Sequence, residues 1–443
     1  MSPVNWMMVA LAGVGLACAF LRPKRWIVWC GLAVLGASIF ALLSWLFPRV
    51  ELPAPQGRFS VGTSELHLVD ASRPEMHTGN PLDHRALMVR VWYPAKASAQ
   101  GKYAPYWLHA PEISRAINEQ HWPFGWFVSH LDEIPTHSYL DVPLAEARAP
   151  FPVLVFSHGL GLGYAAQNTV LMEELASRGY VIFAIDHAYD GLATAFPDGR
   201  VAQYLEQAYE PGDADPSADF QQTLDGLMNS TDVKALSSLV ERAQREQPRG
   251  TQLSRYWIDV WSADQRFVID EIERMQAADG PGRFAGHLDL QRLGVFGMSF
   301  GGMATAATCA ADRRCKAGIN MDGFVPASAD NPAQQVPFMY FAHARVNINL
   351  IFMDRDISYR YYVKVPETEH LDFTDLPALS PLLKLTGISG SIDARRMLAL
   401  MNDFVGAFFD RHLLEGQPTL LDQAARQYAD VWFVARSPVE TSL

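Results

Sequence analysis

Cysteine is scarce in this sequence, four residues in 443. None stands in a Cys-x-x-Cys pair, and no histidine lies near the last two, so spacing offers no structural zinc site. Cys18 and Cys30 sit inside apolar runs and read as small apolar fillers. Cys309 and Cys315 are six positions apart. Two buried thiols and a disulfide both fit them, the disulfide in an oxidising compartment. Basic tracts are missing beyond the first fifty residues, and the net charge is -12. A nucleic-acid partner is therefore not expected. Internal repeats are missing too, which excludes a stacked-repeat array.

Charge is absent from two stretches, residues 1–21 and 26–47. Arg22-Pro23-Lys24-Arg25 separates them and Pro48-Arg49 closes the second. A membrane span needs about 20 apolar residues. The second run meets this outright, the first with its polar start included. A signal peptide needs a positively charged start, which this chain lacks, and Ala17-Cys18-Ala19 is only a weak cleavage site. The expectation is a transmembrane helical hairpin over 1–49 with its basic loop cytoplasmic. Everything after it then lies outside the cytoplasm, in a bacterial cell on the outer face of the inner membrane.

The rest reads as one large soluble unit, with 49% hydrophobic residues over the whole chain and ample material for a core. A proline-bearing linker covers 50–57, the main domain 58–417 and a tail 418–443. Residues 61–69 alternate like an edge strand and 86–94 like a second strand. Residues 103–147 are crowded with Tyr106, Trp107, Trp122, Phe124, Trp126 and Phe127 at little periodicity. Packing under a long loop is the first reading, a pocket wall or membrane-resting surface the second. Residues 151–157 and 180–185 are short continuous apolar runs, the look of buried parallel strands. A helical segment ending at Gly179 joins them, giving strand, helix, strand. Residues 190–252 are polar and acidic in the middle, with Asp213, Asp215 and Asp219, and read as an insertion or cap. A long helix over 253–275 follows. Later strands fall at 315–321, 336–342 and 359–365, and an amphipathic helix at 394–414.

Between the apolar run 293–296 and a small-residue helix lies Gly297-Met298-Ser299-Phe300-Gly301-Gly302. This is Gly-x-Ser-x-Gly between strand and helix, the nucleophile elbow of α/β-hydrolases. The expected fold is that α/β class, with a mostly parallel central sheet and helices on both faces, preceded by the two membrane helices. A serine hydroxyl needs a base within hydrogen-bond reach and an acid to fix that base. In this fold the order is Ser, acid, His, on loops after successive strands. His370 follows the last strand and is preferred as base over His343. Asp322 closes the strand after the elbow and is preferred as acid. Asp354 is the alternative, Asp356 lies further beyond its strand, Asp375 follows the base, and Glu367 and Glu369 crowd it. The oxyanion donors are read as the main-chain N–H groups of Phe300 and Leu160, with His158 structural. No metal and no organic cofactor is suggested.

These segments resemble the platelet-activating-factor acetylhydrolase family, the plasma-type and isoform II group of α/β-hydrolases. The resemblance rests on Phe156-Ser157-His158-Gly159-Leu160-Gly161, the elbow, Met321-Asp322-Gly323-Phe324, Val91-Trp92-Tyr93-Pro94-Ala95 and a histidine after the last strand. It covers about residues 55–415. It implies a calcium-independent serine hydrolase with a Ser-His-Asp triad, acting on short or oxidised sn-2 acyl chains of phospholipids. The family's acid follows the strand after the elbow, which favours Asp322 over Asp354. Met298 stands where the family has histidine, and the N-terminal spans and the 190–250 insertion are departures. Relatives of the fold include carboxylesterases, polyester hydrolases and dienelactone hydrolases, the last with a cysteine nucleophile that Ser299 argues against. The rival readings are a broad esterase or acyltransferase, and a catalytically silent membrane scaffold.

Overall fold

Phe151–Ser157 is buried at every position, as a strand covered on both faces must be. The computed structural model describes residues 31, 34–38 and 50–438, except 97–100, 122–124, 126–127, 209–217, 278–281, 325–334, 354–357, 381–382, 385–386 and 415–419. The strands are β1 (Ser60–Pro74), β2 (His84–Ala95), β3 (Tyr103–Pro105), β4 (Pro135–Leu140), β5 (Phe151–Ser157), β6 (Val181–His187), β7 (Ala193–Ala195), β8 (Val201–Gln203), β9 (Leu288–Met298), β10 (Ala317–Met321), β11 (Phe338–His343), β12 (Arg360–Val365) and β13 (Trp432–Arg436). The main sheet runs β13-β12-β11-β10-β9-β5-β6-β2-β1-β4-β3. From β6 through β5, β9, β10 and β11 to β12 all neighbours are parallel, while β2 is antiparallel to both β1 and β6. The order reverses around β5, and ligands of open α/β sheets bind beyond the strand C-termini at such a switch point.

The helices used below are α1 (Ala110–His121), α2 (Thr169–Arg178), α3 (Ala218–Asn229), α4 (Val233–Glu246), α5 (Pro248–Gln276), α6 (Phe300–Ala311), α7 (Ala394–Leu413) and α8 (Leu420–Gln427). Alternation along the strands feeds two cores. Met339 and Phe341 of β11 join α2 and α7 through Val170, Leu175, Phe404 and Phe408. Phe338 and Tyr340 join α5 through Val268, Ile269 and Ile272. Gly179 ends α2 at φ 111°, donating its N–H to Ala176. Only glycine takes that left-handed cap at no steric cost.

The sheet departs from the sequence reading at both edges. Residues 61–69 are not an edge, because β4 pairs with β1 on its open side and β3 with β4. The strands β3 and β4 were hidden in the aromatic stretch, where β3 is too short to show a period. Tyr106 and Trp107 are buried in the main core, in keeping with packing; residues 122–124 and 126–127 lie outside the described residues. Residues 420–436, read as tail, form α8 and then β13 against β12, so the sheet extends past 417. In the 190–252 region the β7–β8 hairpin, α3 and α4 form. Leu227, Leu236 and Val240 of α3 and α4 pack on Ile348, Leu350 and Ile351, just beyond β11. Asp213 and Asp215 lie outside the described residues. Among the described residues no helix is long and apolar enough to cross a membrane, and the 1–49 stretch falls outside them save for 31 and 34–38.

Cys309 and Cys315 are joined in a disulfide. It ties the end of α6 to the chain entering β10, the two elements that flank Ser299 and Asp322. A closure this short stabilises by about 2 kcal/mol in the chain-entropy account. Cys315→Ser should lower the urea midpoint accordingly. Equal midpoints for the variant, the reduced protein and the oxidised protein would show that the bond does not form.

Candidate active site

The elbow is built from close backbone approach. Ser299 sits at φ 54°, ψ -119°, a region costing a non-glycine residue about 1–3 kcal/mol. Its surroundings over-determine it. Ser299 N–H donates to Met321 O at 2.7 Å, its carbonyl accepts from Gly302 and Met303, and Gly301 N–H donates to His158 O at 3.1 Å. A Cβ on Gly301 would lie 2.2 Å from Ser157 O, and one on Gly297 2.4 Å from Gly301 C. Side chains at these two positions would force β5, β9 and α6 apart.

His370 Nε2 lies 2.9 Å from Ser299 Oγ, and its Nδ1 lies 2.5 Å from Asp322 Oδ2. A carboxylate only accepts, so His370 carries its proton on Nδ1 and presents the Nε2 lone pair to the serine. Asp322 is buried, at φ 59°, with its N–H on Phe341 O at 2.7 Å. Burial pushes its carboxyl up, yet hydrogen bonds from His343 and then His370 outweigh this and leave it below the usual carboxylate range. His370 opens a short 3-10 turn, His370–Phe373, closed by reciprocal bonds between Glu369 and Asp372. Gly390 N–H also donates to Asp372. Glu369 further pairs with Arg345. His343, the rival base, makes no bond to Ser299; its Nδ1 is on Asp322 at 2.8 Å.

The other acids stand apart from this line. Asp354 and Asp356 lie outside the described residues, and Glu367 is exposed. Asp375 is buried in the core, accepting from Val170 N–H and Tyr106 OH. Burial pushes its carboxyl up to about 8. The folded state therefore holds a proton that the unfolded chain releases near 3.8. The stability tied to that proton is complete below 3.8 and is lost as pH rises towards 8, at up to about 1.4 kcal/mol per pH unit. Asp375→Asn keeps an acceptor for Val170 and Tyr106 and does not titrate. Its stability relative to the parent should rise between pH 5 and pH 8 in urea unfolding; a pH-independent difference would contradict a protonated Asp375.

The 158–163 loop abuts the serine. A Cβ on Gly159 would stand 3.3 Å from Ser299 Cβ and 3.0 Å from Met298 Sδ. Leu160 N–H makes no hydrogen bond among the described residues. Phe300 begins α6, where main-chain N–H groups point out of the helix. Leu160 and Phe300 share an apolar cluster with Trp257, Trp261 and Ala208, so the insertion borders this side. His158 is structural: buried, with Nδ1 on Gly159 O at 2.7 Å and Nε2 accepting from His187 N–H at 3.1 Å. Burial, with His187 adding to it, pushes its ring down to about 3, so it stays neutral.

A second Ser-His-Asp line escaped the sequence reading. Ser157 Oγ lies 3.0 Å from His187 Nε2, and His187 Nδ1 2.8 Å from Asp264 Oδ2. All three are fully buried. Gln265 also occupies Ser157 Oγ, and Arg85 holds Asp264. Buried and set on no elbow, these residues prop the loop that carries His158, whose Nε2 accepts from His187 N–H. Among the described residues, Asp322, His343 and His370 are the one grouping of metal-donor side chains. Both rings turn Nδ1 to the same carboxylate, so the three satisfy one another by hydrogen bonds.

The family described as platelet-activating factor acetylhydrolase, isoform II, matches residues 45–418. The chain belongs to that family. A platelet-activating factor acetylhydrolase of Cavia porcellus is 21% identical over 84% of this chain and 80% of its own. A probable 1-alkyl-2-acetylglycerophosphocholine esterase of Arthroderma benhamiae is 22% identical, over 86% and 93%. Among solved structures, a ferulic acid esterase from Streptomyces cinnamoneus superposes with TM-score 0.63 at 28% identity, over 87% of this chain and 99% of that one. The acetylhydrolase-family chain is thus a carboxylic ester hydrolase with an α/β fold. Met298, the departure in its elbow, is buried beside Gly159.

Proposed function

We propose that this chain is a serine ester hydrolase working through an acyl-enzyme, with Ser299 as nucleophile, His370 as base and Asp322 as its orienter. The reading rests on the hydrogen-bonded line from Ser299 Oγ to His370 to Asp322, at 2.9 and 2.5 Å. His370 Nε2 takes the Ser299 proton as Oγ attacks the acyl carbonyl. The oxyanion accepts from the N–H groups of Phe300 and Leu160. His370 returns the proton to the departing alcohol. It then deprotonates a water that releases the acid and frees Ser299.

The substrate proposed is a short-chain acyl ester, foremost the sn-2 acyl group of a phospholipid, as the names of the family and relatives suggest. Leu162, Phe324 and Ile388, exposed apolar residues on loops around the site, suit such a substrate. A broader carboxylesterase, polyester hydrolase or acyltransferase is the second reading, favoured by the likeness to a ferulic acid esterase. Residues 1–49 are proposed as a transmembrane hairpin holding the catalytic domain outside the cytoplasm, and the Cys309–Cys315 disulfide supports an oxidising compartment. A reporter fused after Arg49 that works only in the cytoplasm would overturn that topology.

A fluorophosphonate probe and a substrate panel test the activity. Labelling should occur at Ser299, and sn-2 acetyl phospholipid should be cleaved with kcat/KM at least equal to that for p-nitrophenyl acetate and above that for methyl ferulate. Labelling with the opposite ranking selects the broader esterase. No labelling and no turnover leaves the silent scaffold.

A further inference from the structure

The Asp322 carboxylate is held by two histidines, and the mechanism above uses only one. Oδ1 accepts from His343 main-chain N–H at 2.8 Å and from His343 Nδ1 at 2.8 Å. Oδ2 lies 2.9 Å from the same Nδ1 and 2.5 Å from His370 Nδ1. One residue thus supplies both donors to Oδ1 and straddles the two oxygens. His343 is buried and ends β11. The register that sets Met321 beside Phe341 places His343 one residue past the position opposite Asp322. Because the acid cannot donate, the ring must carry hydrogen on Nδ1.

We propose that His343 is the positioning residue of this site, its ring and main-chain N–H groups holding Asp322 ionised and aimed at His370. The inference rests on the roles given above to Ser299, His370 and Asp322. A buried carboxylate whose outer oxygen keeps one donor, the main-chain N–H, in place of two can rotate more freely, and a displacement of about 1 Å from productive geometry costs up to about a hundredfold in rate. Hydrogen bonds to the charged form also stabilise it, and the His343 bond is the largest of those holding Asp322 down against burial. An oxygen relieved of that donor draws harder on the Nδ1 proton of His370, so the base becomes harder to deprotonate. The titratable groups facing Asp322 are His343 from β11, His370 from the turn after β12 and Tyr362 from β12. Arg345 and Glu369, beside the two histidines in sequence, pair with each other.

The test compares His343→Leu, which fills similar space without a donor, with His343→Asn, whose amide N–H takes the place of Nδ1–H. Purified full-length protein is assayed on p-nitrophenyl acetate from pH 5 to 9, with wild type and Ser299→Ala as references. If wild type is inactive, or Ser299→Ala equals it, the proposed function fails rather than this inference. Otherwise His343→Leu should lower kcat about 10- to 100-fold with KM within about twofold. The acid limb of kcat/KM should move up by about half a pH unit or more. His343→Asn should return kcat to within about threefold and restore the limb. Wild-type behaviour of the Leu variant, or equal losses and equal pH profiles in the two variants, overturns the proposal. Should the Leu variant not fold, ¹⁵N-histidine spectra of the wild type decide. The ring signal lost in His343→Asn must be Nδ1-protonated at pH 7, and an Nε2-protonated ring overturns the proposal.

Discussion

Ser299→Ala is expected to lower kcat on p-nitrophenyl acetate by about 10⁶ while unfolding within about 1 kcal/mol of the parent. The change removes one atom, Oγ, and with it the bond to His370 Nε2 at 2.9 Å. Alanine keeps the Cβ, so the strain at φ 54° is unchanged. The restraints that maintain it are main-chain contacts: Ser299 N–H to Met321 O, and Gly302 and Met303 N–H to Ser299 O. Neither the elbow nor the loop at Gly159 has reason to move. What disappears is the covalent route, leaving only the oxyanion donors and the general acceleration of a bound substrate. Steady-state kinetics with thermal melting checks both halves. Retention of a tenth of the activity removes Ser299 from the mechanism, and a collapsed melting point makes the variant uninformative about chemistry.

How far the sequence carried depended on how local each signal is. The elbow is contiguous: an apolar strand, a glycine-flanked serine and a small-residue helix lie within about twenty positions. Glycine is needed there because β5 and α6 pass within contact of it, so the motif records a packing constraint. Asp322 and His370 sit further along the chain, but each follows a strand whose apolar run was visible, Asp322 directly and His370 in the turn beyond, and His370 bonds both Asp322 and Ser299. What stayed hidden depends on partners. The strand β13 is five residues with meaning only beside β12, and β3 is three residues that extend the sheet only through β4. The set of Ser157, His187 and Asp264 joins residues 30 and 77 positions apart through burial that no local pattern announces. His343 was legible as a strand-end histidine. Its place on the far side of Asp322 follows from the pairing of β10 with β11, which residue types alone do not state.

Asp322→Asn is expected to cost about 10⁴ in kcat near neutral pH, although it changes one oxygen to nitrogen. Every group that hydrogen-bonds that carboxylate is an N–H donor: His343 main chain, His343 Nδ1 and His370 Nδ1. The asparagine amide must point its NH₂ at one of the two oxygen positions. At the Oδ1 position it meets the main-chain N–H of His343, which has no alternative tautomer. At the Oδ2 position it meets His370, whose ring can transfer its proton from Nδ1 to Nε2. The second arrangement is the less costly, and it leaves His370 with hydrogen on the nitrogen that faces Ser299. That ring can no longer accept the serine proton, so attack slows while binding persists. The measurement is kcat and KM on a short-chain ester, with fluorophosphonate labelling rate as a second readout of serine reactivity. Both rates should fall together while KM stays within about threefold. An Asn variant within tenfold of wild type in both means that Asp322 does not orient the base, and the acid must be sought elsewhere, with Asp354 the first candidate.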